Sequence, residues 1–388
     1  MKMRRWILLD LWVLSLAVIS CYGGTVSYGI FWGITLIPVV SGVYLLSAYW
    51  NLKIMQQLES KNMVCGQAMP YLFVLQNESF CLFAGISVNM FSSFSTVEEL
   101  PGDKEYELLP KDKKMFETRL TCKYRGEYEV GVKEIVLTDF FRLFCIRYRV
   151  PHAVKARVLP KVTSVAKLNS VENFSMFLRK ESVLERTEPD IVVRDYIAGD
   201  APKQIHWKAS AKEGKLKVRN RTGEEKTGIS LFWDTRRFGT EQREYLPVED
   251  KMLETVLALG NFFAGNNIPF WAYCGQSGVM AKHVESIGDF DGFYQRVSEV
   301  IFDRDENLGV LLSLLLGQGQ LAESRIVFGV MHQIDETVMR MTEEFDRAGI
   351  MTVFYVVTDE NMEDYARQST QRHKIIAVPV SAELDGLL

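Results

Sequence analysis

The residue types best suited to chemistry gather in one run, Arg194 to Ala211, which reads RDYIAGDAPKQIHWKASA. It sets a carboxylate, Asp200, near an imidazole, His206, with Arg194, Tyr196, Gly199, Lys203, Trp207, Lys208 and Ser210 around them. General acid–base chemistry asks for a carboxylate and a histidine within reach of the same proton, and nucleophilic chemistry asks for a serine or cysteine activated by a base. Neither arrangement has a recognisable order here, because no nucleophile motif flanks His206 and no second carboxylate stands near it in sequence. The cations Lys203, Lys208, Lys212, Lys215, Lys217, Arg219 and Arg221, with Trp207 among them, suit phosphates, anionic lipid or an acidic partner. Three readings follow: an ion-paired clasp between domains, a binding site for a partner or anion, and a cryptic hydrolase or anion-binding sensor using Asp200, His206 and the lysines.

The elements that must hold this run are a strand, a turn and a helix. Ile191 to Ile197 reads as a strand, and Gly199-Asp200-Ala201-Pro202 as a helix start, with Asp200 free to cap orphan amides and Pro202 tolerated in the first turn. The helix should run to about Lys212, stop at Glu213-Gly214, and give way to a strand over Lys215 to Val218. From Thr227 the pattern alternates. Strands are expected at Gly228 to Asp234, Ile268 to Cys274, 325 to 331, 350 to 357 and 374 to 379, and helices at Asp250 to Ala264, 289 to 302, 306 to 316, 335 to 348 and 360 to 369. That is an α/β fold, a doubly wound and mostly parallel sheet with helices on both faces, whose ligands sit at the carboxyl ends of the strands. Asp234, His332, Thr358 and Asp359 would line that edge. Gly275-Gln276-Ser277-Gly278 reads as a hairpin turn before Val279.

Upstream, Trp6 to Tyr22 is apolar apart from Asp10 and two serines, Gly23-Gly24 breaks the run, and Thr25 to Trp50 carries no charge. Each run approaches or exceeds the roughly 20 residues that cross a bilayer as a helix. Lys2, Arg4 and Arg5 before the first run, and Lys53 and Lys61 after the second, predict a cytoplasmic body and an outside turn. Val18-Ile19-Ser20-Cys21 resembles a lipoprotein cleavage box, but Asp10 in the apolar core and the second run argue for an uncleaved hairpin. Asp10 lies about 7 Å along the helix from Arg5, close enough for a basic neighbour or the interface.

Short extended runs from Met63 to about Pro160 (Pro70 to Leu75, Cys81 to Val88, Phe116 to Cys122, Tyr128 to Val132, Lys155 to Leu159) predict a small antiparallel β-sandwich. Thr138 to Phe144 reads as a turn whose four large apolar side chains plug the sandwich edge, in preference to lining a ligand-binding site. Six cysteines form no C-x-x-C pair, and a cytoplasmic body keeps them as thiols. The expected domains are a helical hairpin at 1–52, a β-sandwich-like domain at 53–160, a connector with the Arg194 run at 161–226, and the α/β domain at 227–388. With 388 residues, 47% hydrophobic and 24% charged, and a net charge of −4, the chain describes folded protein with no global field for nucleic acid. It contains no P-loop, no H-E-x-x-H and no G-x-G-x-x-G opening a strand–helix unit.

Arg194-x-Tyr196-x-x-Gly199-Asp200 followed by Ile205-His206-Trp207-Lys208-Ala209-Ser210-Ala211 is similar to the signature of the bacterial family called domain of unknown function 58. The apolar hairpin, the β region with its Arg-Gly-x-Tyr and Asp-x-Phe-x-Leu-Phe elements, and the α/β region follow the family's order over nearly the whole chain. Lys203 stands where arginine is expected, which keeps the charge and loses the two-pronged donor. The resemblance implies a C-terminal domain like that of von Willebrand factor A, in which Asp-x-Ser-x-Ser after the first strand often holds magnesium. This chain has Asp234-Thr235-Arg236-Arg237-Phe238 there, so that position reads as degenerate and no metal or other cofactor is expected. The missing enzyme motifs point to a membrane-anchored, non-enzymatic scaffold, and the resemblance implies its partners beside the bilayer itself, a MoxR-type AAA+ ATPase and a transglutaminase-like membrane protein, in envelope assembly or chaperone-like work.

Overall fold

The structure is a computed structural model that describes residues 2–98, 105–150, 153–168, 191–195, 207–221, 228–275, 279–303, 308–317, 321, 324–360, 362–367, 369–370 and 372–388. The chain divides into two units, Met1–Lys161 and Val162–Leu388.

The first unit opens with helix α1 (Lys2–Tyr22), a turn at Gly23 and Gly24 with positive φ, and helix α2 (Thr25–Asn51). Both helices are long and apolar enough to cross a membrane, and most of their surface is exposed. They run antiparallel: Trp12 Nε1 donates to Thr35 Oγ1 at 3.1 Å, and the Trp12 and Phe31 rings lie 6.0 Å apart. The last turns of α2 are different, since Leu45 and Ala48 are buried and Tyr44 Oη accepts a hydrogen bond from Ala84 N–H at 2.9 Å. Thus α2 ends inside the β core and passes straight into a strand.

That strand is β1 (Leu52–Leu58), followed by β2 (Asn62–Val64), β3 (Ala68–Asn77), β4 (Phe83–Met90), β5 (Ser95–Val97), β6 (Glu105–Leu108), β7 (Lys113–Cys122), β8 (Gly126–Val130), β9 (Val132–Thr138), β10 (Cys145–Arg149) and β11 (Val154–Leu159). They form three sheets, β1-β3-β7-β5, β10-β9-β4-β6 and β2-β11-β8, antiparallel except for β2 with β11. Alternation fills the core, as Tyr71, Phe73 and Leu75 of β3 point inward with Ile86, Val88, Ile135, Leu137, Ala156 and Val158. Gly131 makes the β8–β9 corner at φ +84, and a Cβ there would lie 2.4 Å from Gln56 Oε1 and 2.7 Å from Tyr71 Oη. Only glycine fits that corner. No disulfide joins the six cysteines, all of which are described; Cys65, Cys122 and Cys274 are buried.

The loop after β9 corrects the expectation of a core plug. Of its four large apolar side chains only Leu143 is buried, while Phe140 and Phe141 are 59% and 51% exposed and Phe144 is also exposed. Asp139, buried, builds the loop by accepting from Phe141 N–H at 3.2 Å and Phe144 N–H at 2.7 Å. Side-chain type alone does not say whether an apolar residue faces a core.

In the second unit, β12 (Ile191–Asp195) pairs antiparallel with β13 (Lys217–Arg221), and helix α3 (Trp207–Glu213) lies between them in sequence. Gly214, at φ +68, follows α3 and ends it. The main body comprises β14 (Gly228–Trp233), α4 (Gln242–Gly265), β15 (Phe270–Gly275), β16 (Val279–Val284), α5 (Ile287–Ser298), α6 (Leu308–Gly317), β17 (Ser324–Met331), α7 (Glu336–Arg347), β18 (Met351–Val357), α8 (Met362–Arg367) and β19 (His373–Val378). The sheet order is β16-β15-β14-β17-β18-β19, parallel throughout except for β16, which pairs antiparallel with Gly275 opposite Val279.

Each face of this sheet has its own core. Leu231, Trp233, Phe328 and Tyr355 pack with Leu253, Val256 and Phe263 of α4 and Phe293 of α5. Phe232, Val327 and Phe354 pack with Leu312 of α6 and Val338 and Phe345 of α7. Successive residues of one strand serve opposite cores, which is why the strands read as unbroken apolar runs. Gly329 lets Phe232 and Phe354 close over β17, because a Cβ there would meet their rings at 2.5 Å and 2.9 Å.

Candidate functional site

Of the candidate site residues in the Arg194 run, those described are Arg194, whose backbone in β12 lies opposite Val218, together with Trp207, Lys208 and Ser210 on α3. Tyr196, Gly199, Asp200, Lys203 and His206 lie outside the described residues. Trp207 is 68% exposed, and Lys208, Lys212 and Lys215 are exposed. Ser210 is buried, and its Oγ accepts a hydrogen bond from Lys217 N–H at 2.8 Å. A small polar side chain thus ties α3 to the start of β13. The helix is fixed from within, and its aromatic and cationic side chains stay outside.

The carboxyl edge of the six-stranded sheet is the more elaborate site. Asp234 follows β14 and is 1% exposed. Its Oδ1 accepts from the backbone N–H and Nε of Arg236 at 3.0 Å and 3.1 Å; its Oδ2 takes Nε at 2.9 Å and pairs with Nη2 at 2.8 Å. Arg236 Nη1 reaches Asp335 Oδ2 at 2.7 Å. Asp335 is also the N-cap of α7, where its Oδ1 accepts from Val338 N–H at 2.9 Å. One guanidinium therefore joins the end of the first strand to the start of a helix ninety-nine residues away.

Electrostatics follow from this placement. Burial raises Asp234 above the ordinary carboxylate range, and the hydrogen bonds and charge of Arg236 pull against it. Arg236 loses some basicity to desolvation, yet its pairs with Asp234 and then Asp335 hold it above the ordinary arginine value. Asp335, despite a desolvation contribution in the opposite sense, is held low by Val338 N–H and by Arg236. Beside this pair, Arg237 donates to Glu249 at 2.6 Å and 3.3 Å and lies 4.2 Å over the Tyr245 ring.

Phe238 sits between Arg236, 5.5 Å over its ring, and His332, whose ring centre is 4.6 Å away. His332 Nδ1 bonds Val357 O at 2.8 Å, and a carbonyl only accepts, so the proton is on Nδ1. These side chains, with Glu244 and Tyr245, enclose a cleft of about 190 Å³, smaller than the usual small-molecule pocket. Thr235 Oγ1 donates to Gly275 O at 2.9 Å, Thr358 Oγ1 accepts from Glu360 N–H at 3.1 Å, and Asp359 Oδ1 accepts from Val380 N–H at 2.8 Å. The edge residues expected from the sequence are thus present together, with their polar atoms largely turned to structural bonds.

A magnesium ion does not fit this edge. Hard divalent cations take six or more oxygen ligands, and here the oxygens of Asp234 and one of Asp335 already surround a guanidinium. Among the described residues no group of three or more His, Cys, Asp or Glu could hold a metal. Sequence reasoning found Asp234, Thr235 and Arg236 but took the arginine as a lost ligand. The role of Asp335 was missed, and its only local signal was that of a helix cap.

Comparison with protein-family models finds no match, and comparison with curated proteins finds none. Among solved structures, the chain is similar to the cupredoxin domain of amoB from Nitrosocaldus yellowstonii at 8% identity and a TM-score of 0.21, covering 30% of this chain and 97% of that one. It is also similar to a GH20 exo beta-N-acetylglucosaminidase from Vibrio harveyi at 8% identity and a TM-score of 0.17, covering 79% and 57%. At such scores neither likeness bears on fold or chemistry.

Proposed function

We propose that this chain is a membrane-anchored, non-enzymatic scaffold of the domain of unknown function 58 family, whose von Willebrand factor A-like domain docks a protein partner in the cytoplasm. The observation that carries the reading is the Arg236 guanidinium seated between Asp234 and Asp335. A sheet edge whose acidic position is already filled by a guanidinium is a fixed polar surface suited to docking a protein partner. The strand order, with one antiparallel edge strand beside five parallel ones, supports the von Willebrand factor A-like assignment. Two exposed apolar helices, with Arg4 and Arg5 in the first turn of α1 and Lys53 just after α2, support the anchor and its orientation. By resemblance the partner is a MoxR-type AAA+ ATPase, with a transglutaminase-like membrane protein as a further member of the assembly.

Co-purification from native membranes in mild detergents tests this. The expected result is a specific ATPase partner, retained by the wild type and weakened by Gln333→Arg, which adds charge at the exposed rim beside His332. Recovery of no specific partner under several detergents contradicts the scaffold reading.

A further inference from the structure

The exposed phenylalanines of the Asp139–Phe144 loop have a position in common with two arginines. Arg4 Nη1 donates to Phe141 O at 3.3 Å and Arg5 Nε donates to Leu143 O at 2.5 Å, so the loop is held against the first turn of α1. Between the loop and both helices lies an open groove of about 490 Å³. Leu8, Leu9 and Trp12 of α1, Pro38 of α2 and Phe144 wall it, and Arg5 stands at its loop end. The Arg5 guanidinium carbon is 5.6 Å over the Phe144 ring, and its two terminal nitrogens have no protein partner among the described residues. Among the described residues Arg5 pairs with no carboxylate, neither Asp10 of its own helix nor the loop's Asp139, which accepts from Phe141 N–H and Phe144 N–H, while Glu105 pairs with Arg142 at 2.6 Å.

An apolar trough with an unneutralised guanidinium at one end is complementary to an acyl chain joined to a phosphate. The groove walls belong to helices whose remaining apolar surface is exposed, so a bilayer reaches the groove directly. We infer that this groove binds one phospholipid with an anionic headgroup, its phosphate on Arg5 and an acyl chain along Leu9, Trp12 and Pro38. The inference rests on reading α1 and α2 as membrane spans. Phe140 and Phe141 then lie at the headgroup boundary, where aromatic rings are stable, and their exposure has a cause.

The test uses the full chain in nanodiscs of equal phosphatidylcholine and phosphatidylglycerol, with native mass spectrometry of the released protein. The wild type is expected to keep one phosphatidylglycerol in preference to phosphatidylcholine, and Arg5→Gln to reduce that preference by about tenfold, the loss of one charge-assisted contact. Thr35→Trp, which fills the groove floor, is expected to remove both adducts, and it carries the test alone if Arg5→Gln does not incorporate. Equal retention of the two lipids by the wild type, or adducts unchanged by Thr35→Trp, overturns the inference. Alkaline carbonate extraction separates the two claims: protein that stays in the pellet without lipid preference refutes the lipid site alone, and protein released to the supernatant refutes the membrane spans and the site together.

Discussion

Arg5 and Arg236 both lie near a phenylalanine ring, yet they end in opposite states. Arg236 has Asp234 and Asp335 on its guanidinium and is largely buried, whereas Arg5 gives one hydrogen bond to a carbonyl and leaves its terminal nitrogens free among the described residues. The difference lies in the partner's charge. A guanidinium facing carboxylates is neutralised and becomes structure, and one facing only carbonyls keeps its charge for something outside the protein. The two units thus carry one closed cationic site and one open one.

Breaking the closed site should have the largest effect. Arg236→Ala leaves Asp234 buried without its cation, which costs about 3 to 5 kcal/mol and should lower the thermal midpoint of the α/β unit by several degrees, followed by circular dichroism on the full chain. An unchanged midpoint would mean that the pair contributes nothing. Asp139→Ala comes next, at about 2 kcal/mol, because two loop amides lose their acceptor and the exposed phenylalanines lose their frame.

Asp335→Ala should cost about 1 kcal/mol for the lost cap alone. Because Asp335 is held below its ordinary value, its contribution is complete above the unfolded carboxylate value near 4 and fades as the pH falls through the lower folded value. Acid titration of Asp335→Asn against the wild type should show the two stability curves converging at low pH; parallel curves would remove Asp335 from the account. The smallest effect is expected at Phe141→Ser, within about 0.5 kcal/mol in detergent, since the ring is half exposed and packs no core. A large loss there would erase the contrast between the framed loop and its free rings.

Much of the α/β unit was legible because its strands are unbroken apolar runs between amphipathic helices: 350 to 357 was expected and Met351–Val357 is found, and 335 to 348 corresponds to α7. The start of α4 was not legible. It was expected at Asp250, after Pro247 and a polar stretch, yet the helix begins at Gln242 and accommodates the missing N–H of Pro247. In the first unit β1 was hidden because α2 passes into Leu52-Lys53-Ile54 with no turn residue to mark the change, and β9 because Tyr128 to Val132 reads as one strand where Gly131 turns the chain from β8 into β9. The site was legible in its residues and not in its connections. Asp234 and Arg236 were visible as a departure from a metal motif, but their meaning depends on Asp335, which only the fold brings near. The phenylalanines of the β9–β10 loop carried the signal of a core and occupy a surface, because sequence registers apolarity and not which apolar medium receives it.

Whether the Asp234–Arg236–Asp335 network excludes a metal is decided by Mn²⁺ titration of the full chain, read by paramagnetic relaxation enhancement of solvent water and by the thermal midpoint. No saturable site and no rise in midpoint are expected up to about tenfold above typical cellular divalent levels, since the carboxylates already hold a guanidinium. A saturable site that stabilises the wild type and disappears in Asp234→Asn would contradict this exclusion.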